Sequence, residues 1–138
     1  MAETPHLNRM MLEAFRVLDA QVDAALDARG ASNLSPRHAT AILLVDKRGV
    51  RLTDMADRAG ITKQAMMQVV NDLERMGLVK RMRDPQDARA KIVTLTAKGI
   101  KERAEAAKAV AAAESKIKRR LGHARYEALR ETLASIVR

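Results

Sequence analysis

The chain has 138 residues, a formal net charge of +9, 47% apolar residues and only 1% aromatic ones, with no cysteine. Disulfides and thiol redox switches are therefore excluded, and the core has to be built from Leu, Val, Ile, Ala and the eight Met. This length supports one domain with a sizeable core, or a smaller domain with arms that gain their burial from a partner.

The charge is unevenly spread. Residues 1–50 carry six basic and six acidic side chains, residues 51–96 nine and six, and residues 97–138 eleven and five. A positive surface of this kind attracts nucleic acid. The opening MAETPHLNRMM has no basic segment followed by a continuous apolar run, and no stretch reaches the length of a membrane span. A soluble, cytoplasmic protein with no membrane partner is expected.

From Leu7 to about Ala28, the residues Leu7, Met10, Met11, Ala14, Val17, Leu18, Val22 and Ala25 recur at spacings of three and four, which predicts a long amphipathic helix. Gly30-Ala31-Ser32-Asn33 breaks it. Ser35 then supplies an N-cap and Pro36 the first position of a helix running through Ala39, Ile42, Leu43 and Val45 to Lys47, closed by Gly49. Val50-Arg51-Leu52 is expected to add a short strand beside a hairpin further along.

Thr53 is the expected N-cap of a short helix ending at Ala59, with Asp54 where the helix dipole favours an anion. Gly60 tolerates the positive φ that ends such a helix, Ile61 follows as an apolar anchor, and Thr62 caps the next helix. In that helix Met66, Val69, Val70 and Leu73 share one face, which must be buried, and Gly77 stops it. Ala56 is small where the two helices cross. The spacing fits a helix-turn-helix.

Opposite the buried face lie Gln64, Gln68, Asn71 and Arg75, with Lys63 and Met67 to the sides. Gln and Asn donate and accept together, so they suit the N6/N7 edge of adenine in a major groove, and Lys63 can reach guanine or phosphate. Any surface helix also has a solvated polar face. A basic hairpin behind the helix favours contact with DNA over that plainer reading.

Leu78-Val79-Lys80-Arg81-Met82-Arg83 predicts one strand and Ile92-Val93-Thr94-Leu95 its return partner. The polar segment Asp84 to Lys91 between them has a turn signal at Asp84-Pro85 and is too long for a tight two-residue turn, so it is expected as a loop projecting into solvent. Arg89 and Lys91 on that loop, with Arg81 and Arg83 at its base, suit phosphates and the negative potential of a narrow minor groove. Asp87 is placed to pair with or orient Arg89.

Thr96 caps an Ala-rich helix that ends near Gly122, with a narrow apolar stripe of Ile100, Ala104, Ala107, Val110 and Ile117. A last amphipathic helix carries Tyr126, Leu129, Leu133, Ile136 and Val137. The basic run Lys116 to Arg120 fits a solvated helix end. None of the terminal helices buries enough surface alone. Their apolar faces exceed what one small domain covers, which points to dimerisation, an intramolecular helical cap being the alternative.

His6, His38 and His123 stand far apart, and no second ligand occurs at metal-binding spacing. No phosphate loop, nucleophile elbow or paired His-Glu motif is present. No metal, no cofactor, no catalytic residue and no enzymatic activity are expected.

The segments LTDMADRAGITKQAMMQVVNDLERMGLVKR and DPQDARAKIVTLTAKG resemble the winged helix-turn-helix of the MarR family of bacterial transcriptional regulators, over about Leu34 to Gly99. The resemblance implies that the helix from Lys63 is the recognition helix, that Asp87 and Arg89 are the wing's Asp-x-Arg pair, and that Arg89 enters the minor groove. Ala88 departs from the pattern, since the family often has a second Arg there. Cysteine-based peroxide sensing, one mode used in that family, is excluded here. The resemblance also implies a small-molecule effector, often aromatic, between the dimerisation helices and the winged domain, although so few aromatic side chains leave little for stacking.

The expected fold is mainly α with a small β hairpin (α+β), with an N-terminal dimerisation helix in 1–33, a winged helix-turn-helix in 34–98 and C-terminal dimerisation helices in 99–138. The expected function is a homodimeric, sequence-specific regulator of transcription, a repressor, on a pseudo-palindromic double-stranded DNA operator. Thr62, Lys63 and Arg75 would help on phosphates, and Gln64 and Gln68 would favour A·T pairs. A non-specific nucleoid-like DNA binder and a winged-helix protein-interaction module are the alternatives.

Overall fold

A computed structural model describes residues 3–31 and 33–138, and these form six helices and a three-stranded antiparallel sheet. In chain order they are α1 (Leu7–Ala28), α2 (Pro36–Leu43), β1 (Val50–Arg51), α3 (Leu52–Ala59), α4 (Lys63–Arg75), β2 (Val79–Asp84), β3 (Asp87–Leu95), α5 (Ala97–Leu121) and α6 (His123–Val137). Met1, Ala2 and Ser32 of the predicted break lie outside the described residues. Among those residues, no helix is long and apolar enough to cross a membrane.

The core sits where α4, α2 and α5 meet the sheet. Met66, Val69, Val70 and Leu73 of α4 are all buried, as their spacing predicts. They pack in one cluster with Ile42 of α2, Met55 of α3, Val79 and Val93 of the sheet, and Leu26 of α1. The same cluster takes in Ala106, Ala109 and Ala113 of α5. This stripe is only partly the predicted one: Val110 packs against the cluster, but Ile100 is exposed, as are Ala104 and Ala107. Alanine stands on several faces of α5, so a three-to-four spacing can be drawn more than one way, and packing on α1 and α2 selects the face.

Two boundaries and one anchor residue also differ from the sequence reading. Helix α3 is capped by Arg51 in extended backbone with no side-chain cap bond, and Thr53 is already helical. The strand β1 delivers the chain directly into the helix, so no residue is left to form the predicted Thr53 cap. Helix α2 ends at Leu43 rather than Lys47. Its last turn tightens through Leu44 N–H to Ala41 O and Val45 N–H to Ile42 O, and Arg103 of α5 donates to the carbonyls of Leu43 and Val45, both at 2.9 Å. Ile61, expected as an anchor, is 38% exposed.

The sheet order is β1-β3-β2, with Val50 opposite Val93 and Val79 opposite Leu95. The eight-residue loop expected between the hairpin strands is absent. Instead β3 begins at Asp87, and only Pro85 and Gln86 separate the two strands. The register passes from Arg83 opposite Lys91 to Asp84 opposite Asp87, so Ala88, Arg89 and Ala90 form an irregularity on β3. Extra residues of this kind re-aim side chains and twist the ribbon. Asp84 is buried rather than projecting, at 5% exposure.

Candidate nucleic-acid interface

Helix α4 begins at an N-cap that its sequence supplies: Thr62 is extended, and its hydroxyl accepts from Ala65 N–H at 3.0 Å. Gly60, at φ +69°, turns the chain in left-handed backbone, and only three residues separate α3 from α4. Burial of Met66, Val69, Val70 and Leu73 then fixes the rotation of α4. That rotation leaves Thr62, Lys63, Gln64, Met67, Gln68 and Arg75 exposed, with Asn71 half-buried.

The hairpin of β2 and β3 stands beside this face. Between α4 and the hairpin lies a cleft of about 230 Å³ lined by Lys63, Met67, Arg81, Arg89 and Lys91, together with Arg51 and Thr53. Five cationic side chains thus border one small concavity, with Gln64 and Gln68 on the same exposed helix. Cations converging on a cleft favour an anionic polymer over a neutral partner. Arg83 and Arg75, both predicted as contacts, do not line the cleft. Arg83 is exposed opposite Lys91 on the ribbon, and Arg75 pairs with Asp72 near the far end of α4.

The wing is held by two carboxylates. Asp87 Oδ1 accepts from Arg89 N–H at 3.0 Å, so it orients the backbone of Arg89 rather than pairing with its guanidinium. Asp84 was legible in the sequence only as a turn signal, yet it anchors the hairpin. It accepts from Gln86 N–H at 2.9 Å and from Arg51 Nε at 2.9 Å, with Arg51 Nη2 at 2.6 Å. These contacts, the Gln86 amide first, hold the Asp84 carboxyl below the usual carboxylate range. Arg51 was expected only as a strand residue. It ties the tip of the wing to the start of α3.

The back of α4 is held from α2 by another contact the sequence does not announce. His38 Nδ1 faces Ser35 N–H at 3.1 Å, completing a capping box, and its Nε2 lies 2.9 Å from Asp72 Oδ2 on α4. A backbone amide only donates, so Nδ1 accepts and the ring proton stands on Nε2, donating to Asp72. Together with Arg75, this bond lowers the Asp72 carboxyl below its ordinary value. The capping signal Ser35-Pro36 was readable, whereas a partner 34 residues away was not.

Behind α4, a mostly apolar cavity of about 450 Å³ is lined by Phe15 and Asp19 of α1, Arg37, Thr40 and Leu44 of the α2 region, Arg58 of α3, Ile61 of the turn, and Met66 and Val69 of α4. Burial, with Asp23 adding, raises the Asp19 carboxyl.

Comparison with known proteins agrees with the fold. The model of the MarR family matches residues 32–90. The transcriptional regulator HosA of Escherichia coli O111:H- is 35% identical over 66 residues, which span 48% of this chain and about half (49%) of HosA. The HTH-type transcriptional repressor Mb2911 of Mycobacterium bovis is 32% identical over 123 residues, covering 88% of this chain and 86% of the relative. Among solved structures, the transcriptional repressor CouR of Rhodococcus jostii RHA1 bound to a 23-mer DNA duplex superposes with a TM-score of 0.82 at 28% identity, covering 99% of this chain and all (100%) of that one.

Proposed function

The chain belongs to the MarR family of DNA-binding transcriptional regulators, and on that premise we propose that it is a homodimeric repressor reading a pseudo-palindromic operator. The observation that carries this reading is the cation-lined cleft between α4 and the wing, flanked by the exposed amides of Gln64 and Gln68. Each protomer lays α4 in a major groove and Arg89 along the adjacent minor groove, with half-sites about 34–36 Å apart. Residues 34–98 serve as the DNA-binding unit, and residues 1–33 and 99–138 as the dimerisation helices.

The dimer is supported by apolar side chains that the protomer leaves exposed. Leu7, Met10, Met11, Leu12 and Phe15 crowd the first half of α1, and Leu129, Leu133, Ile136 and Val137 stand on α6. Exposed apolar surface on both terminal helices is what a second copy would cover. The cavity behind α4 supports release by a small-molecule effector, because an apolar molecule there touches Met66 and Val69 on the buried face of the reading helix. A cytoplasmic location follows from this role.

The direct-readout part is tested with Gln68→Ala against a series of base substitutions in the operator. The variant is expected to lose about 1–3 kcal/mol on the native site and to stop discriminating at one A·T pair per half-site. An equal loss on every sequence would show that Gln68 does not read bases.

A further inference from the structure

Three polar side chains between α4 and the hairpin are already bonded to one another. Arg81 leaves β2 toward α4, where its Nη2 donates to Asn71 Oδ1 and its Nε and Nη2 each lie 3.3 Å from a carboxylate oxygen of Glu74. The Arg81 side chain is only 27% exposed, against 42% for Glu74. The Arg81 contact is the first cause holding the Glu74 carboxyl below its ordinary value. Asn71 and Glu74 are three apart, so they share a face of α4 and present a paired acceptor to one guanidinium fork.

We propose that Arg81 is a positioning residue that orients the Asn71 carboxamide, so that Asn71 reads DNA as a donor only, and that Arg81 is not itself a phosphate contact. This rests on the DNA-binding reading above and adds to it. A guanidinium has donors and no acceptor, so the Asn71 atom facing it must be the carbonyl oxygen. The remaining Nδ2 then points away with two donors. A free Asn pairs with adenine by donating and accepting at once; the Asn71 oxygen keeps a second lone pair, but the bond to Arg81 turns that oxygen toward β2, so Nδ2 is the group left to face a base. A donor-only group selects an edge rich in acceptors, which in the major groove is guanine, with N7 and O6 side by side. Gln64 and Gln68, with no such partner among the described residues, keep both functions. The recognition face therefore combines amides suited to A·T with one amide pre-set for G·C.

The arrangement also ties the wing to α4. Neutralised by Glu74 and bonded to Asn71, Arg81 has spent most of its donors within the protein, unlike Arg89 and Lys91.

The test compares wild type, Arg81→Gln, Asn71→Ala and the double variant. Each is checked for unchanged melting, and base preference is read from selected random duplexes while affinity is read against salt concentration. Arg81→Gln and Asn71→Ala are expected to flatten the same one G·C preference per half-site, from about tenfold to near unity, with no further change in the double variant. The slope of log affinity against log salt stays at the wild-type value. A slope that falls by about 0.9 for each protomer in Arg81→Gln, with base preferences intact, would overturn the proposal and make Arg81 a phosphate contact. Asn71→Ala, which substitutes a strong helix former, reads the position even if Arg81→Gln fails to fold. If it leaves every base preference intact, the proposal is overturned as well. A wild type that binds no duplex would instead defeat the underlying DNA-binding reading.

Discussion

Replacing Gly99 by alanine is expected to cost about 3–5 kcal/mol of stability and to lower the melting temperature by roughly 10–15 °C. Helix propensity alone gives the opposite sign, since glycine inside a helix is worse than alanine by about 1 kcal/mol. Gly99 lies in the first turn of α5, and a Cβ built there meets Leu78 O at 1.8 Å and Leu78 C at 2.8 Å. Those are backbone atoms and cannot rotate away. Leu78 is itself fixed, because its N–H donates to Leu73 O at 2.9 Å and its carbonyl accepts Thr96 N–H at 3.0 Å. Thr96 adds a hydroxyl bond to Gly77 O at 2.6 Å. Relief therefore requires α5 to move off the junction of α4 and β2. Thermal unfolding of Gly99→Ala beside Lys101→Ala, an exposed neighbour, measures the effect. A melting temperature at or above wild type would show that the close approach is not a constraint.

Arg89→Ala is expected to weaken operator binding on the order of 10²–10³-fold for a dimer that loses one arginine from each half-site, with melting unchanged. Arg89 sits in the irregular stretch of β3, exposed, with its backbone pinned by Asp87 and its side chain lining the cleft beside Lys63. A contact of this type releases counterions, so the salt slope should fall by about 0.9 per protomer. This contrasts with the behaviour expected of Arg81, although both arginines border the same cleft. Unchanged affinity and slope in a folded Arg89→Ala dimer would remove the wing from the interface.

What could be read from the sequence divides along a physical line. The first helix was readable to its ends, Leu7 and Ala28, because its apolar residues recur along one face and glycine follows. The buried face of α4 was readable because Met66, Val69, Val70 and Leu73 are the only large apolar set at helical spacing there, Met67 being left outside. The helix-turn-helix and the wing as a pair of strands came from Gly60, Thr62 and the β-branched run ending at Leu95. The side-chain pairs that join elements were not readable. Arg103 reaches carbonyls of α2 about 60 residues away, Arg51 closes on Asp84, and His38 on Asp72. Each joins charges or dipoles distant in sequence, and periodicity records only which face is apolar. The tip of the wing, Asp84 to Lys91, was read as a loop because its residues are polar and one is proline. Yet its backbone still pairs, since an exposed ribbon needs no apolar face once Asp84 and Asp87 satisfy the amides at its tip.

The candidate interface divides in the same way. Its outward helix residues were readable from the angle opposite the buried stripe, whereas Arg75 and Arg83 stand away from the cleft and Arg51 joins it. Angular position on one helix says which way a side chain leaves the axis. It does not say what it meets there.

The most direct measurement is selection of random duplex DNA by the purified chain at near-physiological salt, followed by sequencing. A short inverted repeat with half-site centres one helical turn apart is the expected result, because the proposed two-fold dimer would present two copies of α4 to the same bases twice. Binding that enriches no sequence and collapses steeply with salt would contradict specific readout and leave a protein that grips only the phosphate backbone.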